Sequence, residues 1–466
     1  MIVVKRTDFT VIQIADYKKM GQKKGNNSTF WIPVKKNKIN IQELKTIKEP
    51  ATFQASLRAT LIIGQAFSLI PVNGVFSNNA ADVRFLWSSW KCLYLFLSLT
   101  GQMFLTVMCI HKVVNSVTSL NSTTPIIFYG TTCITMLMFL HVARTWPSLA
   151  QHVASLEEMN PNYDNTLAKK CNITCAVVLT LALVEHILSL LSAFAGSMVC
   201  YPDHNLYEGF VRHFYPWVFN FLPYSPPLGI LTQFLHFQST FIWNFSDLFV
   251  ICISYYLTSA LDHVNRKLLA AQGRYLPEIF WRTTREDYGR AAQLVRKVDD
   301  VISGIVFISF ANNLFFICLQ LFNTLENGIK GSEECSSRSK GHHILGGYEA
   351  ATYFLFSLVY LITRSVAVSL IASQVNTAST VPAPVLYDVP SPVYCVEVQR
   401  FLDQVNGEKL ALSGLQFFSV TRSLLLTVAG TIVTYELVMF QFTSPSSPST
   451  TTAVSNITIT TPIPTS

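Results

Sequence analysis

The sequence predicts an all-α membrane protein, and three observations carry that prediction. Half of the 466 residues are apolar and only 13% are charged, where a soluble chain holds about a quarter charged. Several windows of about 20 residues contain at most one or two charges, long enough to cross a bilayer core as helices. The basic surplus of +7 is spread through the segments between those windows. That distribution sets membrane orientation; it is not the one-sided patch of a nucleic-acid binder, so no nucleic-acid partner is expected.

Taken in order, residues 1–56 hold eleven Lys and Arg against four acids. The positive-inside rule makes them a cytoplasmic arm, with no apolar core for a cleavable signal peptide. Residues 57–77 are apolar but contain Gly64, Gln65, Pro71, Asn73 and Gly74. Such breakers suit a re-entrant half-helix better than a crossing. Six crossings are predicted at 88–111, 125–143, 173–199, 228–258, 301–323 and 348–372, and a seventh at 415–442.

Parity supports dropping 57–77 from the count. The 24 residues after Phe442 carry no charge, fourteen Ser or Thr, four Pro and the sequon at Asn456. This is the composition of an extracellular, glycosylated stalk. A cytoplasmic start and an extracellular end require an odd number of crossings, here seven. Loop charges agree. Within the cytoplasmic segment 259–300, the run from Arg266 to Lys297 carries eight Lys and Arg against three acids, and the outside loop 200–227 has one Arg. Cys200 and Cys335, in outside loops, are a possible disulfide pair.

Leu261, Leu268, Leu269, Leu294 and Val298 recur at near-helical spacing within 259–300, broken at Gly273 and Pro277. The fourth and fifth crossings are therefore expected to continue below the bilayer and pack together. Within 374–414, the stretch 393–412 is amphipathic and too charged to span, which makes it a cytoplasmic helix ahead of the last crossing. The remaining segments are 78–258, with the first four crossings, and 301–373, with the fifth and sixth.

Ionisable groups inside crossings are costly and mark function or pairing. Here they are Glu185, His186, Asp247, Arg364 and Glu436. Trp243 lies one turn from Asp247; Asn312 and Asn313 sit mid-crossing; Tyr353 and Tyr360 share a face. Carboxylates bind hydroxyl pairs, amides donate and accept, and flat rings cover C–H faces, so Glu185, His186, Trp243, Asp247, Asn312, Asn313, Tyr353 and Tyr360 are candidates for a polyol site. Arg364 and Glu436 are read as structural charges. No catalytic, metal or cofactor motif opens a helix, and Glu185-His186 point about 100° apart rather than as a ligand pair. On the last crossing Glu436 lies about 140° from Gln441. If Gln441 faces a pore, Glu436 packs against protein, and Phe442 is placed to form an apolar constriction.

Thr434-Tyr435, then five residues, then Gln441-Phe442 resembles the signature of insect gustatory receptors. Leu222-Pro223-Tyr224-Ser225-Pro226, Trp243-Asn244 with Asp247-Leu248, Asn312-Asn313-Leu314, Cys395-Val396-Glu397-Val398 and Ala411-Leu412-Ser413-Gly414 resemble the sugar-receptor branch. The resemblance runs from about residue 50 to Phe442. It implies a sugar-gated cation channel of the plasma membrane, similar in fold to insect odorant receptors. That fold has seven transmembrane helices, a leading half-helix, a split last helix and four subunits around a pore, as a homotetramer or a heteromer with related chains. It also implies that Gln441 and Phe442 stand at the gate, with sugar, permeant cations and membrane lipid as partners. A sugar transporter is the alternative, disfavoured by the odd crossing count and the lack of internal symmetry. A G-protein-coupled receptor would need the opposite orientation.

Overall fold

The computed structural model describes residues 52–77, 79–115, 120–159, 164, 166–201, 205–327 and 348–443. Most of the basic arm, the Ser/Thr/Pro tail, Cys335 and the side chains of Gln441 and Phe442 lie outside the described residues.

The described residues are mostly helical, in the order α1 (Phe53–Ala66), α2 (Trp90–Val114), α3 (Leu120–Met159), α4 (Leu167–Cys200), α5 (Leu206–Phe214), α6 (Pro216–Phe219), α7 (Pro226–Ala271), α8 (Glu278–Asn327), α9 (Glu349–Thr380), α10 (Pro382–Tyr387), α11 (Val396–Gly407) and α12 (Arg422–Thr443). Two short antiparallel pairings interrupt it, β1 (Val72–Asn73) with β2 (Arg84–Phe85) and β3 (Ser413–Gly414) with β4 (Phe418–Ser419). Six helices, α2, α3, α4, α7, α8 and α9, are long and apolar enough to cross a membrane. α12, with 22 residues, reaches about 33 Å and supplies a seventh.

The half-helix of the sequence reading is α1. Its 14 residues span about 21 Å, too short for a bilayer core. Thr52 caps its start by accepting from the Ala55 N–H at 3.2 Å. Phe53, Leu57 and Leu61, one turn apart, face inward and are at most 2% exposed. Glu157 of α3 accepts from both the Phe53 N–H (2.7 Å) and the Tyr256 hydroxyl (2.6 Å). That oxygen ties α1, α3 and α7 together.

α7 is the axis of the bundle. Of its most apolar window 83% is buried, against 22% to 50% for the other spans. Nearly every residue from Phe241 to Ser254 is inside, the pattern of a helix with neighbours on all sides. α1, α2, α3, α4, α8 and α9 all pack on it.

α7 (46 residues) and α8 (50 residues) are about 69 and 75 Å long, more than twice a bilayer core. Their extensions pack together as the sequence predicts. Leu261, Leu268, Leu294 and Val298 are buried, whereas Leu269 points out. α10, α11 and β3–β4 close this end. Asn265 donates to the Ala378 carbonyl at 2.9 Å, Tyr288 to that of Ser379 at 3.0 Å, and Lys267 pairs with Asp287 at 2.8 Å. Arg285 and Arg400, each 2.9 Å away, bracket Glu397.

Boundaries differ from the sequence reading: the leading helix is Phe53–Ala66 rather than 57–77, and the amphipathic helix is Val396–Gly407 rather than 393–412. The last crossing begins at Arg422, not 415, because Leu415 and Gln416 adopt φ of 48° and 62°, which a right-handed helix excludes. Asp299 of α8 holds this turn by accepting from the Ser413 N–H (2.6 Å) and hydroxyl (2.7 Å). The last helix is thus split into α11 and α12 by a hairpin clamped to α8. Cys200 is disulfide-bonded; Cys335, the partner expected from sequence, is not among the described residues.

Two glycines separate strain from crowding. Gly74 (φ +84°) would place a Cβ 2.2 Å from the Asp82 carbonyl oxygen, whereas Gly273 (φ +72°) has nothing within 4 Å. Gly273→Ala is expected to cost about 1 kcal/mol of backbone strain and Gly74→Ala about 3 kcal/mol or more, because backbone must move. Thermal melting of the solubilised chain checks the order. The hydrogen bond from Arg285, then that from Arg400, holds the Glu397 carboxyl below its ordinary value of 4.5. The stabilisation is therefore complete above that value and is lost as pH falls through the lower folded one. The melting difference between wild type and Glu397→Gln should shrink as pH drops from about 6 to about 3.

Candidate functional site

At the centre of the bundle α7, α8 and α9 share one ionic network. Asp247 on α7 is 0% exposed and Arg364 on α9 is 4% exposed, with Nε 2.8 Å from Oδ2. The Nε–H is not aligned on that oxygen, so the contact is ionic rather than a hydrogen bond. Two α8 side chains complete the carboxylate's partners: Ser309 donates to Oδ1 and Asn313 donates to Oδ2 at 2.9 Å. The guanidinium reaches further, Nη2 to the Asn313 Oδ1 at 3.2 Å and Nη1 to the Asn244 Oδ1. Tyr360 donates to the same Asn244 oxygen at 2.7 Å and lies 3.1 Å from the Val178 carbonyl of α4. A buried charge in a membrane requires this degree of pairing. It also leaves Asp247 no free oxygen pair with which to grip a sugar diol. Asp247, Asn313 and Tyr360, read from sequence as ligand groups, are bound to Arg364, read as structural.

Trp243, one turn from Asp247 on α7, borders this network. Arg364 lies 4.5 Å from its ring centroid and Phe316 of α8 4.7 Å away at 40°. The indole is therefore pressed by protein and is not an open stacking platform. Its Nε1–H is buried and has no partner among the described residues. Trp243 also lines a small cavity with Asn312 and Phe316 of α8 and Phe128, Thr131, Thr132 and Thr135 of α3. The three threonine hydroxyls donate to carbonyls one turn back, at 3.2, 2.9 and 2.7 Å. Their oxygen lone pairs remain able to accept. The walls touch closely enough that no water fits between them, so a ligand must part them to enter. The threonines carry no sequence signal beyond their spacing, since membrane-helix hydroxyls routinely bond their own backbone.

The other predicted residues stand apart. Glu185 of α4 accepts from the Ser357 hydroxyl of α9 at 2.6 Å, and Gln320 of α8 donates to the same hydroxyl at 3.0 Å. Tyr353 stands one turn from Ser357, beside Glu185. His186 turns the other way, into a ring cluster with His236 (5.8 Å) and Phe237 (5.3 Å). The eight residues proposed from sequence thus fall into four neighbourhoods, and only Trp243 and Asn312 border the cavity. On α12 both Glu436 carboxylate oxygens are buried without a partner among the described residues, beside Cys318 of α8. Gln441 and Phe442 lie in its final turns. Among the described residues no cluster of three His, Cys, Asp or Glu is arranged to hold a metal.

Comparison with known proteins gives a consistent result. A family model described as trehalose receptor matches residues 22–451. The gustatory receptor for sugar taste 64f of Drosophila melanogaster is 33% identical over 410 residues, covering 87% of this chain and 84% of that protein. The Drosophila gustatory receptor 5a for trehalose is also 33% identical, over 403 residues, 85% of this chain and 87% of the relative. Among solved structures, the insect olfactory receptor OR5 of Machilis hrabei in complex with eugenol has a TM-score of 0.59 at 14% identity. It covers 83% of this chain and 97% of the receptor, and the likeness is one of fold.

Removing one partner of the buried pair should be worse than removing both. Asp247→Ala or Arg364→Ala strands a charge, at a cost of about 3–5 kcal/mol, and should deplete the chain from the cell surface. Asp247→Leu with Arg364→Met should recover much of that loss. Surface labelling and melting temperature read both effects, and wild-type levels of the single variants would refute the assignment.

Proposed function

The chain belongs to the trehalose-receptor family of gustatory receptors, and from that premise we propose that it is a sugar-gated, non-selective cation channel of the plasma membrane in taste neurons. The observation that carries the channel reading is the surface of α12. Its apolar residues are bare, with Leu426 76%, Val433 58% and Leu437 61% exposed, and no residue from Arg422 to Val438 is fully buried. Thr427, Thr431 and Thr434 are exposed as well and line up at helical spacing, with Gln441 seven residues further on the same face. A polar stripe on an otherwise apolar, thinly packed helix suits a pore wall shared with other copies of the chain. In this reading four copies enclose the pore, Gln441 and Phe442 form the gate, and Glu436 faces α8.

Sugar hydroxyls would meet the Trp243 N–H, the Asn312 amide and the threonine oxygens of α3 in the inner cavity. Asp247, Asn313, Tyr360 and Arg364 hold the wall behind it, while Glu185, Tyr353 and His186 stand further off on α4 and α9. Parting α3 from α8 strains a network that already spans α7, α8 and α9, and α12 packs on α8 and α9. Ligand energy opens the gate only to the extent that sugar binds the open arrangement better. The amino terminus is placed in the cytoplasm and the carboxyl terminus outside, which access of an antibody to terminal tags would check.

The decisive experiment expresses this chain alone and records whole-cell currents across a sugar panel that includes trehalose, the sugar named for one relative. Sugar-evoked inward cation current is expected. Asn312→Ala should raise the half-saturating concentration about tenfold, equivalent to about 1.4 kcal/mol, at unchanged surface level. Saturable sugar uptake with no current would instead identify a transporter.

A further inference from the structure

The bundle carries a cap at the end opposite the long extensions. α5 lies against the end of α4 and the start of α7, seated where glycines leave room, and α6 packs on α2. A Cβ on Gly196 would stand 2.7 Å from His213 Nε2, and one on Gly229 would stand 3.3 Å from the Tyr207 ring. Beneath the cap, Tyr215 and Trp217 meet Tyr129 of α3 and His236 of α7. Ring centroids are 5.9 Å apart for Tyr215 and Trp217, 6.0 Å for Tyr129 and Trp217, and 5.8 Å for Tyr215 and His236. Tyr129 and His236 share a hydrogen bond at 3.0 Å through Nδ1.

Two donors in this nest are unsatisfied. Tyr215 is 0% exposed, yet its hydroxyl has no partner among the described residues. The buried Trp217 Nε1–H has none either. Leaving both unmade is costly unless something brings acceptors. The residues contributing these rings carry no carboxylate and no Lys or Arg, and the nearby Arg212 is held by Glu208 at 2.9 Å. Aromatic walls with polar tips and no net charge suit a neutral polyol.

The position of the nest is as informative as its chemistry. His236 precedes Trp243 by seven residues, so the two share a face of α7 about 10 Å apart. Phe128 lies between them, 5.6 Å from the His236 ring and 6.4 Å from that of Trp243. We propose that the nest under the cap is an outer sugar subsite, which binds a sugar ring before it passes Phe128 into the inner cavity. The subsite rests on the sugar-receptor reading above. It assigns a ligand role to Tyr215 and Trp217, which lie outside the crossings.

Tyr215→Phe and Trp217→Phe delete the free donors while keeping an aromatic ring. The full chain is expressed with surface labelling, currents are recorded with trehalose, sucrose and glucose, and binding of radiolabelled trehalose, sucrose and glucose to the purified protein is measured. Each variant is expected to raise the half-saturating concentration about threefold to tenfold and to slow current onset, with maximal current preserved. Unchanged affinity and onset in both variants, while Asn312→Ala still weakens binding, would overturn the outer subsite and leave the channel reading standing. A higher melting temperature with unaltered affinity would likewise overturn it, since the donors would then be an unsatisfied burial that no sugar relieves. If wild type neither binds these sugars nor carries current, the receptor reading fails and the subsite falls with it. Should Tyr215→Phe not reach the surface, Trp217→Phe alone decides.

Discussion

The arrangement of the inner helices depends on a charge problem. An aspartate and an arginine sit in the middle of an apolar bundle, where neither survives alone. Asp247 and Arg364 meet 2.8 Å apart, and the remaining polar groups of Ser309, Asn313, Asn244 and Tyr360 are arranged around them. Because these six residues come from α7, α8 and α9, satisfying the charges also sets the register of three helices. Trp243 and the cavity beside it inherit that register.

Length and burial divide the molecule into a rigid part and an open part. α7 has neighbours on every side and α8 runs beside it for its full length, so their extensions, α11 and the hairpin at 413–419 make one dense block. α12 leaves that block through a turn clamped by Asp299 and then exposes most of its surface. A helix held firmly at one end and loosely along its shaft is able to move without dismantling the core. The cap of α5 and α6 is the counterpart at the opposite end, docked through Phe210, Val211, Tyr215, Val218 and Phe219.

Legibility of the site followed chemistry rather than position. Charges inside crossings were visible from residue type alone, and all of them proved to be buried or at protein seams. Their partners were not visible, because pairing joins residues 117 apart in the chain, Asp247 and Arg364, and periodicity reports only which side of one helix a residue occupies. Glu185 and His186 illustrate the limit: neighbours in sequence, they face different clusters, as the 100° step requires. Thr131, Thr132 and Thr135 carried no signal, and the cap read only as the outside loop 200–227 because its helices are shorter than the window that reveals a crossing.

The sequence by itself determined the class of the protein, its helical crossings, the short leading segment, the amphipathic helix before the last crossing and the family. Each of these follows from composition, local periodicity or motif, properties that a few tens of consecutive residues express alone. Only the tertiary structure decided that α7 is the central helix, that Asp247 belongs to Arg364, and that the last crossing starts at Arg422. Only packing could separate the predicted sugar residues into four neighbourhoods, with Trp243 and Asn312 at the cavity. These are relations between distant segments. A buried polar group takes whichever partner the packing brings within hydrogen-bond reach, and that choice is not written in the residues on either side of it.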